Sequence, residues 1–484
     1  MKLLTIGLDG GDKRIIQEMP MPNLHKILAQ NICLDVQEDL WSRGWAEILC
    51  GVHGRESGAF YAKPKLDGSH NTTQKFSVYD YDLNPDIKPL WARLCEKGHS
   101  VGFMNVPSMM PAPTVNGFAV AGGGAGAATS GASVIPLEGC YPNEARDLLI
   151  KKGYIVDTRF VSCGLRDESA FLNRLVHMTK IRTNAFICLQ DRFHVRFGFV
   201  AFMAICRVQY LAMSEIEALI QNKGLPANSF QEKLLVFYEQ IDEYIGKIMG
   251  CVSPEHVMFV SDHGQSPRLY SVNVNEWLTK SGFQHPKAKS SGTFKQAIKA
   301  ATGIFPQSFK KHLVRTAPGL SAKLAGMNAD WNRTKAFGVR YVPGIYINDQ
   351  SRFAGPVSND TESVHLAQEI VEQFNGNEEA KKNNLKARIY RNQYNQSRYE
   401  ALLPDIWIDH PDAYFFEQNG AFIEPNKDYG PIKNLARVER DMFTGIKGRH
   451  PLFCVDPALA GLIRKSDEPS LTLAYKLILR GMEL

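Results

Sequence analysis

Short runs of strand-forming residues alternate along this chain with stretches of helical periodicity, a pattern that predicts a mostly parallel sheet covered by helices. Leu3–Leu8 reads as the first strand, and Met21-Pro22-Asn23-Leu24 opens a helix with Pro and Asn ahead of its apolar face. A helix over Leu90–Lys97 is stopped by Gly98, and Val101–Val106 forms the next strand. Phe197–Ile205 predicts a further strand, followed by a long helix around residues 230–249 and a strand at 257–260. Val272–Leu278 then turns into a helix. Gly122–Ser133 is rich in Gly, Ala and Ser but lacks the Gly-Lys-Ser/Thr ending of a phosphate loop, so it reads as a flexible surface loop.

Two of these strands end in chemistry. Val257–Val260 runs into Ser261-Asp262-His263-Gly264, and Leu3–Leu8 runs into Asp9-Gly10-Gly11. Carboxylates and imidazoles at strand ends stand where α/β enzymes keep metals and phosphates. Asp9, Asp262 and His263 offer two hard oxygen donors and one nitrogen, a set suited to Zn²⁺ or Mn²⁺. Each also has a plainer reading: Asp9 as a helix cap, His263 as a satisfied buried imidazole.

Composition narrows the class. A chain of 484 residues with 44% hydrophobic and 22% charged residues is a globular protein with ample core. Its net charge of +6 suits acidic substrates without requiring them. Nine cysteines, an odd number with no Cys-x-x-Cys pair, read as reduced intracellular thiols. The first strand starts at residue 3, which leaves no room for a signal peptide, and the longest apolar run, Phe197–Cys206, is too short to span a bilayer. A cytoplasmic protein without a membrane span is expected. Residues 284–333 stand apart from the α/β core at 1–283 and 334–484. The stretch 284–329 carries eight Lys/Arg and no acidic residue, with Phe294, Ile298, Phe305, Phe309 and Leu313 at near-helical spacing. It reads as a basic helical insertion, either a solvated face or a lid that draws in polyanionic substrate; nucleic-acid binding through it is a third reading.

Several blocks together resemble the type I phosphodiesterase/nucleotide pyrophosphatase family of the alkaline phosphatase superfamily. They are Ile6–Gly11 with Met21–Leu24, Lys88–Trp91, Asn105-Val106-Pro107, Val115-Asn116-Gly117, Ser261–Gly264 through Leu278, Ile345–Asn348, Pro404–Ile406 and Gly448-Arg449-His450. The resemblance implies an alkaline-phosphatase-like α/β fold and a two-metal phosphoester site. One metal would take Asp9, Asp262, His263 and a Thr or Ser nucleophile; the other would take an Asp-x-x-x-His pair and a late His, here His450. Two cations stabilise the attacking and the leaving oxygen at once.

The chain departs from that pattern in two places. Where the Asp-x-x-x-His pair belongs, the register gives Cys206 and Tyr210; a thiolate can bind Zn²⁺, a neutral phenol poorly. Asp191-Arg192-Phe193-His194 lies nearby but is one residue too short. At the nucleophile's place stands Trp41, with Ser42 one residue later and Arg43 beside it, able to clamp a phosphate or pair with Glu47. Two classes of function follow. One is a metal-dependent hydrolase or transferase of phosphodiesters or nucleotide pyrophosphates with an altered site that holds one or two ions, Ser42 attacking and Arg43 assisting. The other is a catalytically silent relative that binds a nucleotide, a nucleic acid or a partner protein.

Overall fold

The computed structural model describes residues 1–123, 135–161, 165, 167–287, 329–394, 396–432, 438 and 442–484. Most of the basic insertion and of the Gly/Ala/Ser-rich stretch lies outside the described residues. An eight-stranded sheet organises the chain. Its order is Ile32–Cys33, Phe453–Val455, His256–Val260, Leu3–Leu8, Phe197–Phe202, Val101–Val106, Gly117–Ala121 and Cys140–Tyr141. The five strands from His256–Val260 to Gly117–Ala121 run parallel, and antiparallel strands finish both edges. Leu3–Leu8 is buried at every residue, as a strand covered on both faces must be. One face packs on the helices Glu168–Phe193 and Ser229–Val252, the other on Gly44–Cys50 and Thr472–Gly481. The expected α/β class, a mostly parallel central sheet covered by helices, is the observed one.

The strand predicted over Phe197–Ile205 stops at Phe202, and Ala204 opens the helix Ala204–Gln221. Sequence alone misses this break, because the apolar run continues from a buried strand into the fully buried first turns of the helix.

The described residues between 270 and 425 build a second layer over the strand ends. A four-stranded antiparallel sheet orders Ala336–Gly338, Gly344–Ile347, Ile406–Asp409 and Lys386–Ile389; a three-stranded one orders Tyr414–Phe416, Tyr270–Val272 and Ile423–Pro425. Its own core includes Trp277, Ile345, Ile370, Phe374 and Ile406. The layer leaves the main sheet after Gly264–Pro267 and returns at Gly445–Gly448. These two strands pair antiparallel, with Gln265 opposite Lys447 and Gly264 opposite Gly448. Among the described residues no helix is long and apolar enough to cross a membrane.

Candidate active site

Three neighbouring parallel strands, His256–Val260, Leu3–Leu8 and Phe197–Phe202, release their chains at the same edge of the sheet. The first gives Asp262 and His263, the second Asp9, and the third leads into the helix that carries Cys206, Arg207 and Tyr210. Cys206 and Tyr210 are one helical turn apart and therefore share a face. A cavity of about 440 Å³ opens above them, a size suited to a small molecule. Two glycines permit the crowding. A Cβ on Gly10, where φ is +67°, would lie 2.4 Å from Gln265 Nε2, and one on Gly44 would lie 2.1 Å from the Asp262 carbonyl oxygen.

His263 Nδ1 lies 2.6 Å from the Gly264 carbonyl, to which only an N–H can donate. Nε2 therefore carries the lone pair, and it faces Tyr210 Oη at 3.2 Å, Asp262 Oδ2 at 3.5 Å and Asp9 Oδ1 at 4.0 Å. Burial, then the Lys447 charge, pushes the imidazole pKa down to about 3, so the ring is neutral. Asp9 Oδ2 accepts a hydrogen bond from Trp45 Nε1 at 3.0 Å. The cap of the next helix is Asp12, whose Oδ1 accepts from the Arg14 and Ile15 amides; Asp9 is not used there. Asp262 Oδ2 accepts from the Tyr61 hydroxyl at 2.8 Å, while its Oδ1 is buried with no hydrogen-bond partner. Burial raises the Asp262 pKa against the Lys447 charge, the Tyr61 hydroxyl and the pull of the Gly10 amide, which approaches the carboxylate without forming a regular hydrogen bond to Oδ1.

Cys206 is fully buried, and its Sγ accepts from Gln265 Nε2 and Arg207 Nη1, each at 3.6 Å. Burial drives the thiol pKa well up, so it stays protonated unless a cation stabilises the thiolate. Ligand atoms of Asp9, Cys206 and His263 all lie within 4.8 Å of one another. Asp262 reaches His263 but stands at the margin of this cluster, turned toward Tyr61. A buried carboxylate oxygen without a partner, a fixed Nε2 lone pair and a sulfur facing N–H donors together fit one divalent cation.

Cationic side chains ring the cavity: Arg43, Arg159, Arg207, Arg340 and Lys447. Arg207 clamps Asp157 through Nε and Nη2, both at 3.0 Å, and its Nη1 lies 3.8 Å from Asp9. Burial opposes ionisation of Asp157, yet Arg207 and Arg159 hold its carboxyl below the usual range. Lys447 Nζ sits 2.9 Å above the Tyr61 ring centroid and 3.9 Å from Asp262 Oδ2. Burial brings its pKa down to about 8 against the pull of Asp262 and Asp9. The roof adds Tyr341, His410, Tyr414 and Phe415.

A model of the type I phosphodiesterase/nucleotide pyrophosphatase family matches residues 52–422. The chain belongs to that family. Metal-dependent phosphoester chemistry is general to the family. Phosphonoacetate hydrolase from Sinorhizobium meliloti 1021, in complex with phosphonoformate, aligns over 100% of this chain and 96% of its own at 11% identity and a TM-score of 0.52, a likeness of fold. Murine ectonucleotide pyrophosphatase/phosphodiesterase 5, an inactive form in complex with AMP, aligns over 100% of this chain and 95% of its own at 12% identity and a TM-score of 0.47. No curated protein matches the sequence.

Against the expectations drawn from the family, the structure gathers Asp9, Asp262, His263 and Cys206, and it lines the cavity with Arg43. It does not bring in Ser42. That hydroxyl donates to Asp39 Oδ2 at 2.8 Å, and Ser42 is not among the residues that line the cavity. The reason is Trp41, which stacks on Phe60 with ring centroids 3.9 Å apart and packs among roof residues including Phe337 and Trp407. This anchoring turns the next side chain away. Arg43 donates to the Phe60 and Gln74 carbonyls, and Glu47 accepts instead from His53 and the Gly54 amide. His450 is also outside. It lines a separate cleft and pairs loosely with exposed Asp35 at 3.7 Å, because only its backbone packs on Gly264. Asp191 ends up exposed near the C-terminus of its helix, and His194 is that helix's left-handed cap. The residue from the late segment that does face the site is Lys447, which sequence reasoning passed over in favour of a histidine.

Proposed function

We propose that this chain hydrolyses a phosphoester, of the phosphodiester or nucleotide pyrophosphate class, at a site holding a single divalent cation. The observation that carries this reading is the cluster of Asp9, Cys206 and His263 ligand atoms within 4.8 Å, beside the unpartnered Asp262 Oδ1. A thiolate in the set favours Zn²⁺ over Mn²⁺, which prefers oxygen donors. Held by these residues, such an ion would supply Lewis-acid chemistry to a phosphoryl oxygen and to the attacking water. With Ser42 bonded to Asp39, water is the better attacking group. Its hydroxyl joins phosphorus as the ester P–O bond breaks, and its remaining proton leaves with the alcohol. Trp45 holds Asp9, Tyr61 holds Asp262 and the Gly264 carbonyl holds His263, so the donors are oriented before substrate arrives. Arg43 and Arg207 add positive charge around the substrate's oxygens. A cytoplasmic setting agrees with an odd number of cysteines, nine, and the lack of a Cys-x-x-Cys pair in the sequence.

A second reading, a silent relative that binds a nucleotide or other phosphoester without cleaving it, draws support from the same Ser42–Asp39 hydrogen bond. Release of p-nitrophenol from mono- and diester substrates with added Zn²⁺ or Mn²⁺ separates the two. The parent is expected to turn over and Asp262→Ala to lose most of that rate; equal signals from both proteins favour the silent binder.

A further inference from the structure

Lys447 has no role in any reading made so far, yet it is the cation most committed to the site. It arrives on the strand Gly445–Gly448, fixed by pairing with Gly264–Pro267, so the residues directly after His263 set its position. Of the other cations around the cavity, Arg207 gives two of its nitrogens to Asp157, Arg159 also binds Asp157, and Arg340 pairs with Glu417. Arg43 donates to backbone carbonyls. The Lys447 ammonium, by contrast, stands 3.9 Å from Asp262 Oδ2, an ion pair too long for a hydrogen bond. An ammonium has three donors, and Tyr61 covers one side of this one with its ring face at 2.9 Å.

Phosphoryl transfer needs positive charge on more than one side of the phosphorus. The metal cluster of Asp9, Cys206 and His263 supplies one positive centre when loaded. Tyr210, one helical turn from Cys206, is a neutral phenol bonded to His263 and adds no second ion site. We propose that the Lys447 ammonium is the second positive centre: it binds a non-bridging phosphoryl oxygen from beside Asp262, at the edge of the ligand cluster, and the site therefore works with one divalent ion per chain. This rests on the hydrolase reading for its substrate class, but the contact itself is to the phosphate.

The test uses the full chain and two measurements, metal content by mass spectrometry and binding of inorganic phosphate by calorimetry. With Zn²⁺ present, one ion per chain is expected in the parent and in Lys447→Gln. Phosphate affinity is expected to fall by about tenfold or more in Lys447→Gln and to stay within about threefold in Lys447→Arg, as charge rather than shape decides it. Where turnover is measurable, Lys447→Gln should lower kcat by about 100-fold, the scale of one missing oxyanion donor, with a smaller change in KM. Lys447→Met keeps the stem against Tyr61 and carries the same expectations should Lys447→Gln fold poorly. Two ions per chain in the parent, no phosphate binding by the parent, or equal phosphate affinity in the parent and both neutral variants overturns the proposal. Phosphate binding that needs Lys447 in a protein that cleaves no ester, or that retains no ion, ends the hydrolase reading and leaves the Lys447 contact standing. Turnover unaffected in both neutral variants does the reverse.

Discussion

Arg352, inside the antiparallel roof, and the Asp9–Asp262 group beneath it both bury charge, but they complete it differently. Arg352 Nε meets Asp349 at 2.5 Å, one of its terminal nitrogens meets Asp405 at 2.6 Å, and the carbonyls of Ile347 and Leu403 each take one further N–H at 3.2 Å. Asp405 is further held by the Ile347 amide and Arg391. At the cavity floor, Asp262 Oδ1 and Gln265 Oε1 are buried without partners, and Lys447 stops short of a hydrogen bond to its carboxylate. A closed ionic network holds a fold in one arrangement. An open one keeps donors and acceptors in reserve for something not made of protein.

Four experiments probe that contrast. The largest loss of stability is expected from Arg352→Met, which leaves Asp349 and Asp405 buried with their main partner gone: about 3–5 kcal/mol, read by chemical denaturation. Asp262→Asn should do the opposite to the two properties. Hydrolysis is expected to fall by about 100- to 1,000-fold, whereas stability stays within about 1 kcal/mol or rises, because a buried charge with one oxygen left without a hydrogen bond is removed. A destabilisation like that of Arg352→Met would erase the distinction between the clusters. Asp349→Asn keeps the cap on the Arg352 amide but loses the ion pair, at about 2 kcal/mol near neutral pH. Burial works to raise the Asp349 pKa, but Arg352 outweighs it and the carboxyl sits below its ordinary value. Its stabilisation is therefore present above the unfolded-state pKa of about 3.9 and is lost as pH falls through the lower folded-state value, so parent and variant should converge in acid. Ser42→Ala gives the smallest change, about 1 kcal/mol from the lost Asp39 bond, with turnover within about twofold. A large rate loss there would return Ser42 to the chemistry.

What could be read from the sequence was whatever a single strand or a single helical turn determines. Asp9, Asp262 and His263 follow buried strands whose hydrophobic runs are unambiguous, and Cys206 and Tyr210 share a face by helical spacing alone. Lys447 and His450 lie three residues apart in a segment of Gly, Lys and Arg with no periodicity. Only the pairing of Gly264–Pro267 with Gly445–Gly448, across about 180 intervening residues, decides which one faces the cavity. Ser42 failed for a similar reason: Trp41 is drawn into a cluster with roof residues some 300 to 370 positions downstream, and no local pattern carries that contact. The antiparallel roof was visible only as isolated strands such as Ile345–Asn348, since its helices and loops interrupt the alternation.

The same strand pair has a topological consequence. A stretch of about 180 residues departs from the floor and rejoins it through a hydrogen-bonded clasp two strands wide. The lysine carried in that clasp is stationed by backbone pairing to the floor, while Trp41 reaches up to tie floor and canopy together.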